Sequence, residues 1–231
     1  ADDVWCSNHL ASLEAAVASF PDSVLVFGDT YIFSENTVIS EWFSKEKAIV
    51  CGVPQAGGKH YQLGSELYKS LVPGNYIATS GLMLSREAAA SIDYFDESLH
   101  VMEDRDFFLR LSKVGKFVYT NMLTAGCREH DANITNEKNS LRNRYFAFRV
   151  LRKMLENSVQ LSLDTSEQEL TKKELSVTAT NLIYSASIKS LGAYTEALRF
   201  LIRNKMHRIA FNPKHFARAL FCSVGGAPEN E

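Results

Sequence analysis

The chain has 231 residues, of which 45% are hydrophobic and 23% charged, the balance of a globular protein with enough apolar surface for a core. A formal charge of −2 offers no global attraction to polyanions, so nucleic acid is not an expected partner and an anionic membrane would have to be met by a local patch. Four scattered cysteines, Cys6, Cys51, Cys127 and Cys222, show neither zinc-site spacing nor the density of a disulfide scaffold, and reduced, mostly buried thiols are expected.

No stretch approaches the ~20 apolar residues of a membrane span, and the opening Ala-Asp-Asp-Val-Trp lacks the features of a signal peptide. A cytoplasmic compartment is the expectation. Leu10, Leu13, Ala16, Val17 and Phe20 recur at helical spacing and stop at Pro21, which sets Asp2 and Asp3 at a turn entering a first helix. Val24 to Phe27 reads as a short strand ended by Gly28 and Asp29, with Tyr31 to Phe33 as a return strand beside it.

From Ser34 to Gly74 the pattern weakens among Gly52, Pro54, Gly57, Gly58 and Pro73, as in a mobile or substrate-facing excursion. Tyr76 to Leu84 is expected as a strand, Arg86 to Ile92 as a short helix, and Glu103 to Val114 as an amphipathic helix closed by Gly115. Lys116 to Tyr119 follows as a strand. Beyond about Asn136 strand signals vanish, and helices are expected over Ser140 to Glu156, Gln168 to Leu191, Tyr194 to Met206 and Lys214 to Phe221, with a polar connection around Asp164 to Glu167.

Two places carry chemistry. Carboxylates such as Asp2 and Asp3, where a strand hands over to a helix, can hold a hard divalent cation and leave its other positions to phosphate oxygens; the competing reading is a helix cap plus a dipole-stabilised carboxylate. Asp104 heads the i, i+3, i+4, i+7 stripe of Phe107, Phe108 and Leu111, where an acid is costly to bury without a partner. It is either more than a solubilising charge or an N-terminal cap with no chemistry. Asp106 and Arg110, four apart on another face, are expected to pair in solvent.

Four segments resemble, in order, the consecutive motifs of family 2 glycosyltransferases: Ala-Asp-Asp-Val-Trp, Phe95-Asp96-Glu97-Ser98-Leu99, Glu103-Asp104-Arg105-Asp106-Phe107 to Leu111, and Arg128-Glu129-His130-Asp131-Ala132-Asn133-Ile134-Thr135. The resemblance implies an α/β fold: the carboxy-terminal part of a GT-A domain, a Rossmann-like mixed sheet, over residues 1–135, followed by a helical region over 136–231. It further implies that Asp2 is the second carboxylate of an Asp-x-Asp metal motif whose first member would precede Ala1. On that expectation the nucleotide-binding strands lie upstream, and the isolated chain is inactive and exposes an apolar sheet edge.

The implied activity is inverting transfer of a hexose-type sugar from a nucleotide-sugar donor to a glycan or lipid-linked acceptor. Asp2 would ligate Mn²⁺ or Mg²⁺ on the donor diphosphate, with His130 as a further metal ligand or diphosphate contact. Asp104 would be the general base. Asp3, Ser80, Glu103 and Arg128 would form the substrate-binding set, Ser80 on the strand beside the acceptor. From another class, the alternative is a non-catalytic interaction module built from a degenerate transferase half and its helical tail.

In the tail, Gly192 to Leu198 with Pro213 resembles one helix-turn-helix unit of tetratricopeptide type, short of the repeats a solenoid needs. A basic stretch, Lys138, Arg142, Arg144, Arg149, Arg152 and Lys153, interleaves Tyr145, Phe146 and Phe148. It reads as a solvated helix face or as a peripheral contact with an anionic membrane or a lipid-phosphate acceptor.

Overall fold

A computed structural model of the chain describes residues 2–35, 37–40, 44–54, 58–129 and 139–223. Contacts divide them into two compact units, one from Ala1–Asn133 with Ser158–Glu167 and one from Ile134–Asn157 with Gln168–Glu231.

The first unit is mixed α/β. Its elements run β1 (Val4–Trp5), α1 (His9–Ser19), β2 (Ser23–Ser34), β3 (Thr37–Ser40), α2 (Lys45–Cys51), β4 (Gly52–Pro54), β5 (His60–Leu63) and α3 (Leu67–Leu71). A 3₁₀ turn at Thr79–Gly81 then leads to β6 (Leu82–Leu84), α4 (Arg86–Ser91), α5 (Glu103–Leu111) and β7 (Lys116–Arg128). One seven-stranded sheet has the order β3-β2-β7-β5-β4, with β1 added to β7 and β6 to β2. The long central pair β2 and β7 is parallel, and its neighbours are antiparallel.

The pleat explains what each face buries, because successive strand residues point to opposite sides. Val26 and Val118 meet Leu13 and Ala16 of α1. On the other face Phe27 and Phe117, both fully buried, pack with aromatic neighbours: Phe27 on Tyr119 and Tyr76, and Phe117 on Phe108 of α5. Helices therefore cover both faces of the central pair.

Several expectations are corrected. Tyr31 to Phe33 does not return beside Val24 to Phe27 but continues it as β2, with register shifts around Gly28 and Asp29 where a turn was expected. Asp29 is fully buried and its carboxyl group accepts from the Thr30 and Ser44 amides at 2.8 and 2.9 Å and from the Tyr119 hydroxyl at 3.0 Å. Distant residues thus satisfy an acid that local sequence assigns to a turn. A Cβ at Gly28 would run into the Thr124 side chain, so the close approach of β7 requires glycine there.

The Ser34 to Gly74 excursion contains β3, α2, β4, β5 and α3. Tyr76 to Leu84 is strand only from Leu82, because the chain first turns through Thr79–Gly81. Asp106 and Arg110 do pair, at 2.7 Å, but out of solvent: the Asp106 side chain is 0% exposed. The reason is that Arg110 also donates to the Ile92 and Tyr94 carbonyls and so folds the preceding loop over the pair. The four cysteines are free, and they are half-buried rather than buried.

The second unit is helical: α6 (Ser140–Glu156), most of α7 (Thr165–Lys189), α8 (Leu191–Arg203), α9 (His207–Ala210) and α10 (Pro213–Ser223). Tyr145 and Phe148 of α6 both pack edge-on against Phe200 of α8, and Tyr194 of α8 meets Phe216 of α10. Ser190 caps α8 by accepting from the Ala193 amide at 3.0 Å. Of the basic stretch, Arg142 and Arg149 are exposed, whereas Arg152 is tied to Glu156 at 2.8 Å and to the Asn204 carbonyl at 3.1 Å. No helix among the described residues is long and apolar enough to cross a membrane.

Candidate functional site

Asp2 and Asp3 do not enter the first helix directly, as the sequence suggests. They precede β1, whose Val4 and Trp5 pair with Gly126 and Ala125 of β7, and Asn8 stands at the N-cap of α1. This short pairing brings the acidic pair to the far end of β7, where Arg128 lies. The Arg128 amide donates to Asp3 Oδ1 at 3.0 Å, and its Nε donates to the Asp2 carbonyl at 3.2 Å. The guanidinium sits over the Phe33 ring, 4.6 Å from its centroid.

Ser80 completes the arrangement from a third segment. Its hydroxyl donates to Asp3 Oδ2 in a short hydrogen bond, while its carbonyl accepts from the Trp5 indole N–H at 3.0 Å. Trp5 is in turn stacked on His9, with centroids 4.1 Å apart and planes 7° from parallel. Nδ1 of His9 is 3.0 Å from the Thr124 carbonyl. Asp2, Asp3, Trp5, Thr79 and Ser80 line an open cleft of about 560 Å³. Both oxygens of Asp3 are engaged in holding three segments together; the exposed Asp2 side chain stands on the cleft wall. Beside them, burial pushes the Cys127 thiol up, which keeps it protonated and unreactive at neutral pH.

Among the described residues no group of three or more His, Cys, Asp or Glu is assembled that could hold a metal ion. At the cleft the Asp2 carboxylate stands beside Asp3, whose oxygens already accept from Ser80 and the Arg128 amide, a set that suits only a cation taking its remaining ligands from water or from a bound phosphate. His130 lies outside the described residues.

Asp104 occupies the second position of α5. It is not the N-cap: that place falls to Met102, whose φ of 62° puts a non-glycine residue in the left-handed region immediately before the Glu103-Asp104 pair. Such backbone is sparsely populated and persists where surrounding contacts impose it. Asp104 Oδ1 accepts from the Arg105 amide and Oδ2 from Asn75 Nδ2, each at 2.7 Å. Asn75 is itself fixed, donating to the Ile77 carbonyl and accepting from the Ile77 amide. The segment that orients Asp104 is therefore the one that runs on into Thr79 and Ser80 of the cleft. Glu103 is half-buried, and its side chain makes no hydrogen bond among the described residues.

The structure thus joins Asp2, Asp3, Ser80 and Arg128 in one place, and it links Asp104 to the same wall through Asn75. Sequence reasoning missed Trp5, Thr79 and Asn75. An exposed tryptophan next to an acidic pair was the available signal for Trp5; nothing local marks Asn75, because its partner lies on another element. No family model matches the chain, and no curated protein matches it as a relative.

Proposed function

We propose that this cleft belongs to a GT-A-type glycosyltransferase that moves a sugar, with inversion, from a nucleotide-sugar donor to a glycan or lipid-linked acceptor. The observation that carries the reading is the convergence of Asp3, Ser80 and Arg128. They come from three separate segments, of which those holding Asp3 and Arg128 resemble motifs of family 2 glycosyltransferases, and two hydrogen bonds to one carboxylate join them at one cleft.

Each side chain then has a task that follows from its setting. Asp3 spends both oxygens on fixing the cleft, so it is the organiser, and Asp2, exposed on the cleft wall, is the carboxylate assigned to the cation. Mn²⁺ or Mg²⁺ is bound through one or two carboxylates plus substrate phosphates and would offset the charge that grows on the departing diphosphate. Ser80 and Thr79 offer hydroxyls to the sugar. Asp104, held by Asn75 and the Arg105 amide, retains acceptor capacity on both oxygens; it would take the proton of the acceptor hydroxyl as that oxygen attacks the anomeric carbon.

The test is Mn²⁺ binding followed by electron paramagnetic resonance, with UDP and GDP as the probes. In a chain that carries the nucleotide-binding strands as well, wild type should bind Mn²⁺ more tightly when one of the nucleotides is present, and Asp2→Asn should weaken that ternary affinity by about tenfold or more, since a lost charged ligand is worth at least that. Equal Mn²⁺ affinity in wild type and Asp2→Asn would remove Asp2 from the site and the reading with it.

A further inference from the structure

The helical unit contains a second polar cavity, of about 350 Å³, lined by Tyr145 of α6 and by Glu196, Arg199, Phe200 and Arg203 of α8. Arg199 and Arg203 are four apart, so they rise from one helix face as neighbours, and like charges at that spacing disfavour a helix. Both are exposed, and neither pairs with Glu196 or with another acid among the described residues. The arginines of the same unit that carry structural duties look different: Arg152 is bonded to Glu156 and the Asn204 carbonyl, and Arg218 stacks on Tyr184.

An independent observation concerns the lining of the cavity. The hydroxyl of Tyr145, one of its lining residues, is buried and has no hydrogen-bond partner among the described residues. A buried hydroxyl left unpaired costs about 1–3 kcal/mol, so such a group ordinarily meets a partner. Burial first, and then the Glu196 carboxylate, push the Tyr145 phenol up to about 12, which leaves it a hydrogen-bond donor throughout the neutral range.

We infer that this cavity binds a phosphate monoester, with the two guanidinium groups of Arg199 and Arg203 on its oxygens and the Tyr145 hydroxyl donating from below. Guanidinium forks match phosphate geometry, and such charge-assisted bonds are the strong ones. Glu196 adds an acceptor at the rim that repels a bare anion but takes a hydroxyl of the esterified group. Phe200, held edge-on by the Tyr145 ring at 4.9 Å, supplies an apolar wall for its carbon skeleton. The inference is independent of the transferase reading, because every residue in it lies in the helical unit.

A phosphate monoester has two sources here, a small free ester and the headgroup of a lipid such as phosphatidic acid, and one experiment separates them. The full chain is titrated with glycerol 3-phosphate by calorimetry, and its co-sedimentation is measured with phosphatidylcholine vesicles with and without phosphatidic acid. Glycerol 3-phosphate should bind and lose about tenfold or more in affinity in Arg199→Gln/Arg203→Gln, with a smaller loss in Tyr145→Phe. Lys205→Gln/Arg208→Gln removes the same charge from exposed positions of the same unit and should change affinity less than about twofold. Co-sedimentation dependent on phosphatidic acid and lost in the double arginine variant identifies the lipid source. Glycerol 3-phosphate binding without such co-sedimentation identifies the free ester. The inference is overturned if glycerol 3-phosphate does not bind, or if Lys205→Gln/Arg208→Gln weakens it as much as the arginine pair while Tyr145→Phe leaves it unchanged, which is the signature of a diffuse cationic surface.

Discussion

Asp29 lies within the sheet and Asp3 just ahead of its strand β1, and each accepts from a serine and from the backbone. Asp29 sits in the interior of β2, 0% exposed, with its three donors arriving from β2 itself, Ser44 and β7. Asp3 sits at the rim, exposed, holding Ser80 and the Arg128 amide beside an open cleft. Burial gives the first set of bonds a high cost of removal, because the donors would be stranded away from water. Exposure gives the second set a low cost, because water can replace them. Interior acids of this protein are thus tied to stability, and rim acids are free to be tied to chemistry.

The largest expected effect comes from breaking the interior set. Asp29→Ala strands the Tyr119 hydroxyl and the Ser44 amide and should destabilise the sheet unit by about 1–3 kcal/mol for each buried donor left unsatisfied. Asp29→Asn, which keeps one acceptor oxygen, should cost less. Chemical denaturation measures both, and equal stability of Asp29→Ala and wild type would refute the assignment.

A second interior group gives a pH signature. His60 is buried beside Phe20, opposite Thr120 in the β5–β7 register, and neither its Nδ1 nor the Thr120 hydroxyl has a hydrogen-bond partner among the described residues. Burial first and the Lys59 charge second push the His60 imidazole below its ordinary value. The unfolded chain therefore takes up a proton below about pH 6.5 that the fold refuses, so stability declines as pH falls through that value and is unaffected by this group above it. His215 in the helical unit is shifted in the same direction, by burial and by Arg218, and forms a common background. His60→Leu should flatten the decline of melting temperature with falling pH relative to wild type. Superimposable pH profiles for the two proteins would show that His60 does not titrate on unfolding.

The same contrast explains what was legible in the sequence. The 3.6-residue period is local, and α6 begins at Ser140 and ends at Glu156 as the pattern alone predicts. α5 was legible for its apolar stripe, though Lys113 and Val114 close it as turns rather than as helix. Strand partners are not local. Gly28-Asp29 has the composition of a turn, and only Tyr119 and Ser44, remote in sequence, make it the middle of a strand. Tyr76 to Leu84 was read as strand from its apolar content, yet Asn75 closes a ring on Ile77 and the chain turns at Thr79–Gly81 before β6. In the site, the order of motifs pointed to Asp2, Asp3 and Arg128, and the likeness of Tyr76 to Leu84 to a strand beside the acceptor pointed to Ser80, whereas the bond from Trp5 to Ser80 and the one from Asn75 to Asp104 exist only through the fold.

The smallest effect on stability, and the sharpest division between interior and rim, is expected at Asp104. Its Oδ1 accepts from the Arg105 amide, a role that an asparagine oxygen fills equally well. Its Oδ2 accepts from Asn75 Nδ2, and there the substitution brings a second amide N–H₂ against the first. Asn75 cannot turn over to offer its oxygen without breaking both of its bonds to Ile77. Asp104→Asn therefore loses one hydrogen bond at a half-buried position, where water can enter, and should cost about 0.5–1.5 kcal/mol. Asn75→Ala removes the same bond and should cost a similar amount while leaving the acid in place. If Asp104 is the base, the two variants part company in turnover. In a chain that carries the nucleotide-binding strands as well, Asp104→Asn should lower sugar transfer, measured by release of the nucleoside diphosphate, by about 10²- to 10⁴-fold, and Asn75→Ala by much less, because the carboxylate is still there and only its orientation is loosened. A common small loss in both variants would make Asp104 a member of the wall and nothing more. A large loss confined to Asp104→Asn, at equal stability, would assign the proton transfer to its carboxylate.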